Sequence, residues 1–274
     1  MTNKNTRPAA VAGLFYPHEP SLLRDNVEQL LADNPQTGAV PKALIAPHAG
    51  YIYSGSVAAR AYNLLKPVAE AISRVVLIGP SHRWPVNGLA APSVEAFATP
   101  LGEVPLDRAA LDALIELPQV EVSDEAHASE HSLEAQLPFL QVVLADFTLV
   151  PLVIGRATPS EVAAVLDRLW GGAETLVVVS SDLSHYHSYD DAQAIDTNTA
   201  ARIAARTTGL IGEQACGYQS INGLMQTPRS QPLAIHQLDL RNSGDTAGPK
   251  RQVVGYGAFA LSESQAIRGH VYGS

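Results

Sequence analysis

The chain has 274 residues, 46% of them hydrophobic and 16% charged, with a formal net charge of −9 at pH 7. That length suits one large α/β domain or two small ones, and the composition describes a filled globular core, not a disordered or fibrous chain. The acidic balance argues against nucleic-acid or anionic-membrane partners. No apolar run approaches the ~18 residues of a membrane span, the N-terminal stretch lacks a signal-peptide apolar segment, and the single cysteine, Cys216, excludes an internal disulfide, so a cytoplasmic protein with a free thiol is expected.

In chain order, "PSLLRDNVEQLLADN" spaces its apolar residues as a helix does. "KALIAPH" reads as a buried strand, "GSVAARAYNLLK" as a helix and "SRVVLIGPSH" as a second buried strand, which together make a βαβ unit with parallel strands. "PSVEAFATPLGEVPLD" reads as short extended pieces forming a hairpin, and "DRAALDALIEL" as a helix. "SLEAQLPFLQVVL" reads as a helix kinked or restarted at Pro138. "FTLVPLVIG" is a third buried strand, "PSEVAAVLDRLWGG" a helix, and "ETLVVVSSDLSH" a fourth strand. A long Ala-rich helix over "DDAQAIDTNTAARIAARTTG" and another over "GYQSINGLMQ" precede two late strands, "SQPLAIHQLDLRNSG" and "RQVVGYGAFALSES", read as an antiparallel pair. With no internal repeat and no linker, a single α/β domain is expected, with a mainly parallel central sheet and helices on both faces.

Three of the buried strands run into polar residues. His48 follows the first, His82 the second, and Asp182 and His185 the fourth. Open α/β sheets bind ligands beyond the carboxyl ends of their parallel strands, so these residues are expected at one sheet edge. "HAGYIYSGS" places Gly50 and Gly55 in a strand-to-helix loop, but it matches neither a dinucleotide nor a phosphate-loop fingerprint. "SSDLSH" lacks the G-x-S-x-G elbow of a serine hydrolase. In "ASEHSLEAQLPFL", Ser129 reads as a helix N-cap with Glu130 and Glu134 as solvated first-turn charges; His131 is either part of that cap or a proton carrier leaning into the cleft. His127 reads as an exposed loop residue, and His18, His236 and His270 as structural or exposed. Cys216 precedes a helix, where a thiol can ionise near neutral pH and complete a soft His-His-Cys metal set.

The motifs "AGLFYP", "APHAGYIYSGSVAARAY", "LIGPSH", "EHSLEAQLPFL", "SSDLSHY" and "ACGYQSINGL" occur in the order seen in the MEMO family, and over residues 7–262 the chain resembles a MEMO-like protein of the AmmeMemoRadiSam system, component B. The resemblance implies a fold similar to the LigB-type extradiol dioxygenases, in which two His and a carboxylate hold non-haem iron. It implies metal ligation by His48 and His82, with Cys216 matching the cysteine that stands where the carboxylate would be. Asp182 and His185 match further site residues, and His185 corresponds to the dioxygenase acid/base.

A single transition-metal ion is therefore expected, iron(II) or copper in preference to zinc, held by His48, His82 and Cys216, with Asp182 the alternative third ligand. Asp182, His185 and His131 are the expected catalytic groups. A metal-dependent redox enzyme acting on an unidentified small molecule is the first reading. A non-catalytic metal-binding or scaffold partner of the AmmeMemoRadiSam proteins is the second, and a zinc-dependent hydrolase the third.

Overall fold

A computed structural model describes residues 5–263; His270 lies outside the described residues. The strands are β1 (Thr6–Arg7), β2 (Ala43–Ala46), β3 (Arg74–Pro80), β4 (Leu89–Ala91), β5 (Ala96–Thr99), β6 (Gly102–Pro105), β7 (Val120–Val122), β8 (Thr148–Ile154), β9 (Thr175–Ser180), β10 (His185–His187), β11 (Leu233–Asn242) and β12 (Val253–Glu263). The α-helices are α1 (Pro20–Asp33), α2 (Tyr51–Asn63), α3 (Arg108–Leu114), α4 (Asp124–Ala128), α5 (Leu137–Val143), α6 (Pro159–Leu169), α7 (Tyr189–Ala204) and α8 (Tyr218–Gln226).

The strands β2, β3, β8 and β9 are buried on both faces along nearly their whole length, as short continuous apolar runs between helices require. They lie side by side in the order β2-β9-β3-β8 and all run parallel. The chain passes from β2 through α2 to β3, stepping over β9. It later passes from β8 through α6 to β9, stepping back over β3. The two crossovers travel in opposite directions, so the right-handed rule puts α2 and α6 on opposite faces. Helices α1, α2 and α5 pack on one another, and α6 packs on α8, which also meets β3 and β9.

The sheet is mixed, where a mainly parallel one was expected. β12 joins β2 antiparallel, and β4 joins β8 antiparallel. β12 arrives from its pairing with β11, with no crossover helix between to turn it parallel to β2. The expected hairpin is β5–β6, which forms a separate three-stranded sheet with β1. Phe97 and Val104 of that sheet belong to the same apolar core as Leu44, Leu77, Leu152 and Val178 of the large one.

Two local expectations change. Helix α2 begins at Tyr51, so Gly55 lies inside it and not in the loop. A Cβ at Gly55 would stand 2.7 Å from Leu30 Cδ1, so the glycine serves the close approach of α1 and α2. Ser129 ends α4 instead of opening a helix, and residues between it and the 3-10 turn Glu134–Gln136 follow an irregular path.

Candidate metal centre

The order β2-β9-β3 places three carboxyl ends next to one another, and neighbouring strands lie about 4.8 Å apart. His48 lies two residues beyond β2, Asp182 two beyond β9 and His82 two beyond β3. The expectation that these residues share one sheet edge is met in the register, since Ala46 pairs with Ser180 and Ile78 with Val179.

His48, His82 and His131 each offer one donor atom within 4.8 Å of the other two. The rings of His82 and His131 stack, with centroids 4.6 Å apart, and His48 meets both edge-on at 5.3 and 5.4 Å. His131 therefore stands in the donor group, where it was expected as a proton carrier and Cys216 as the third ligand. Cys216 is adjacent: its Sγ lies 3.4 Å from His48 Nε2. Asp182 Oδ2 lies 3.9 Å from the same nitrogen.

Hydrogen bonds fix which nitrogens are free. The Ser180 hydroxyl donates its one proton to the Ser132 carbonyl at 2.6 Å and accepts from Gln136 Nε2 at 2.7 Å. Toward His48 Nδ1, at 2.9 Å, it can only accept, so Nδ1 carries the proton and Nε2 keeps its lone pair. His82 Nδ1 donates to Glu130 Oε1 at 2.9 Å, leaving His82 Nε2 free as well. Carboxylates and hydroxyls behind a histidine ring commonly orient it as a metal ligand.

Burial drives the charge states. Burial, reinforced by His82, pushes His48 down to about 3, and burial followed by His48 pushes His131 down to about 4. Both rings are thus neutral near pH 7, the form that ligates. Burial raises the Asp182 carboxyl, against the pull of nearby His185 and of the His48 backbone N–H, which donates to Oδ1 at 2.8 Å. Glu130 shows the opposite balance. Burial pushes it up, but bonds from the His82 ring and from the amides of His82 and Ser132 outweigh burial and hold it at about 2.

The thiol departs from the sequence reading. Burial, followed by the Asp182 charge, pushes Cys216 well above the usual thiol range, so it stays protonated despite its place before α8. Its sulfur accepts the Asp182 N–H at 3.3 Å. His185 is half-buried on β10, and its Nδ1 donates to the Leu183 carbonyl at 2.8 Å, so its Nε2 is free. It lies outside the group of three. His127 is buried, not exposed: Nε2 bonds the Ala90 carbonyl at 3.0 Å. His18 and His236 are exposed, as expected.

Sequence reasoning missed Glu130, Ser180 and Gln136 as orienting groups. Glu130 and Glu134 were read as solvated charges, yet their side chains are 1% and 0% exposed.

The family model for Memo-like proteins matches residues 7–260. The chain belongs to the MEMO family. It is 34% identical to a MEMO1 family protein of Methanothermobacter thermautotrophicus, over 91% of this chain and 98% of that one. It is 35% identical to a MEMO1 family protein of Methanopyrus kandleri, over 93% and 98%. Among solved structures, an uncharacterized protein of Escherichia coli K12 superposes with a TM-score of 0.53 at 14% identity, covering 78% of this chain and 98% of that one. That likeness concerns the fold alone. The MEMO motifs map onto the site: "APH" supplies His48, "GPSH" His82, "EHS" Glu130 and His131, "SSDLSH" Ser180, Asp182 and His185, and "ACG" Cys216. No helix among the described residues is long and apolar enough to cross a membrane.

Proposed function

We propose that this MEMO protein binds one transition-metal ion through His48, His82 and His131 and uses it in redox chemistry in a cleft like that of the non-haem iron extradiol dioxygenases. The observation that carries the reading is the group of three imidazoles with ring nitrogens within 4.8 Å, two of them oriented through Nδ1 by Ser180 and Glu130. The donor set suits the group: neutral imidazoles serve iron, copper and zinc, and an adjacent sulfur favours the softer ions. Iron(II) or copper is our first assignment. When bound, such a metal supplies Lewis acidity and a one-electron couple.

The chain's own residues provide the rest. His185, with Nδ1 tied to Leu183 and Nε2 free, takes a proton from the reacting molecule and returns it. Asp182, its carboxyl raised by burial, holds a proton more readily than a surface carboxylate and stands 3.9 Å from His48 Nε2. Cys216 is a neutral thiol beside His48 and a fourth donor if it loses its proton.

A second reading, zinc-dependent hydrolysis, is favoured by one feature: three histidines are a donor set typical of catalytic zinc. A non-catalytic role beside the AmmeMemoRadiSam proteins rests on the family resemblance. Elemental analysis of protein purified without added metal, followed by oxygen-uptake assays with catechols, separates these readings. Stoichiometric iron or copper with oxygen uptake supports ours. Zinc with ester hydrolysis supports the second, and metal without turnover the third.

A further inference from the structure

The loop carrying Glu130 and His131 has no regular structure to hold it, yet its two ends converge on one buried ion pair. Glu134 is 0% exposed and, among the described residues, accepts only from the N-terminal segment: Oε2 from Arg7 Nη1 and, at 2.8 Å, the Ala10 N–H; Oε1 from the Val11 N–H at 2.9 Å and the Tyr16 hydroxyl at 2.5 Å. Arg7 uses its other nitrogens on the last turn of α4 and on the same loop. Nε donates to the His127 carbonyl at 2.8 Å and Nη2 to the Glu130 carbonyl at 2.6 Å. The segment so fastened returns toward the site. The Phe15 ring packs on the His131 ring, centroids 4.9 Å apart, and the Phe15 carbonyl accepts the Tyr51 N–H at 2.8 Å, three residues after His48.

We infer that the Arg7–Glu134 pair and Phe15 are positioning residues for the metal centre, holding His131 against His82 in ligating position through the segment 7–16. Every hydrogen bond described between residues 127–134 and that segment has Arg7 or Glu134 as a partner, and the Phe15 ring adds the packing contact on His131. Ring placement matters because a ligand left free to rotate must lose that freedom on binding metal, which lowers affinity.

The inference rests on the metal-centre reading, so the test separates the two. Cobalt(II) is the probe, titrated into the full chain by visible absorption, which reports coordination geometry as well as affinity. Removing a buried charge outright risks unfolding, so Glu134→Gln is accompanied by two milder variants, Tyr16→Phe and Phe15→Leu. The control is Leu111→Ala, buried in α3, which begins beside Leu149 at the amino end of β8, the opposite end of the parallel strands. We expect Glu134→Gln to weaken cobalt about tenfold or more and the milder variants roughly three- to tenfold, with an altered spectrum. Leu111→Ala should lower the melting temperature at least as much as the milder variants and keep affinity within about twofold. Milder variants that match wild-type affinity and spectrum overturn the positioning role and leave the metal centre standing. Wild-type protein that takes up no cobalt overturns both.

Discussion

Glu130 holds His82 twice, accepting its backbone N–H on Oε2 at 2.5 Å and its ring Nδ1–H on Oε1 at 2.9 Å. Oε1 also accepts the N–H groups of His131 and Ser132, at 2.9 and 2.8 Å. One buried carboxylate thus sets the tautomer of one histidine and the backbone of the next.

Glu130→Gln should therefore weaken metal binding about 10- to 100-fold, because the amide presents two donors to a site that needs only acceptors. Competition titration against a chromophoric chelator measures this. Unchanged affinity would show that the carboxylate does not orient His82.

The metal-free protein should lose stability as pH falls below about 6.5. The folded pKa values of His48 and His131 lie near 3 and 4, below the 6.5 of the unfolded chain, and burial is the leading cause in both. Between those values the unfolded state binds protons that the folded state refuses. The contribution is complete above 6.5 and is lost as pH falls toward 4 for His131 and toward 3 for His48, with a slope of up to about 1.4 kcal/mol per pH unit for each histidine. Urea denaturation from pH 7 to 4 should give a shallower slope for His131→Gln than for wild type. Parallel slopes would mean that His131 is not held neutral by the fold.

The strands and their polar ends were legible because the buried strands are continuous apolar runs, three of which give way within two residues to His48, His82 or Asp182. His131 was half-legible. Its loop is shaped by Arg7, more than a hundred residues away, and by a Glu130 whose burial no local pattern marks. The charge state of Cys216 was misread because its place before α8 suggests a lowered pKa, whereas burial and Asp182 dominate. The antiparallel β11–β12 pair was expected, but the antiparallel joining of β12 to β2 and of β4 to β8 escaped the reading because strand direction follows from connections, not from composition.

Gly223→Ala should destabilise the fold by about 1–3 kcal/mol through overpacking. A Cβ there would stand 2.3 Å from Val162 Cγ1, where α8 crosses α6. Thermal unfolding checks it, and an unchanged melting temperature would mean that the two helices separate at little cost.

Iodoacetamide should alkylate Cys216 slowly in metal-free protein at pH 8, since burial and Asp182 keep the thiol protonated. Reaction as fast as that of an unfolded thiol would contradict the raised pKa.

The most direct measurement is metal content in three proteins prepared side by side: wild type, His131→Ala and Cys216→Ser. The three-imidazole centre predicts one metal per chain in wild type, near-complete loss in His131→Ala and retention in Cys216→Ser. Retention in His131→Ala together with loss in Cys216→Ser would contradict it and move the third ligand to the cysteine.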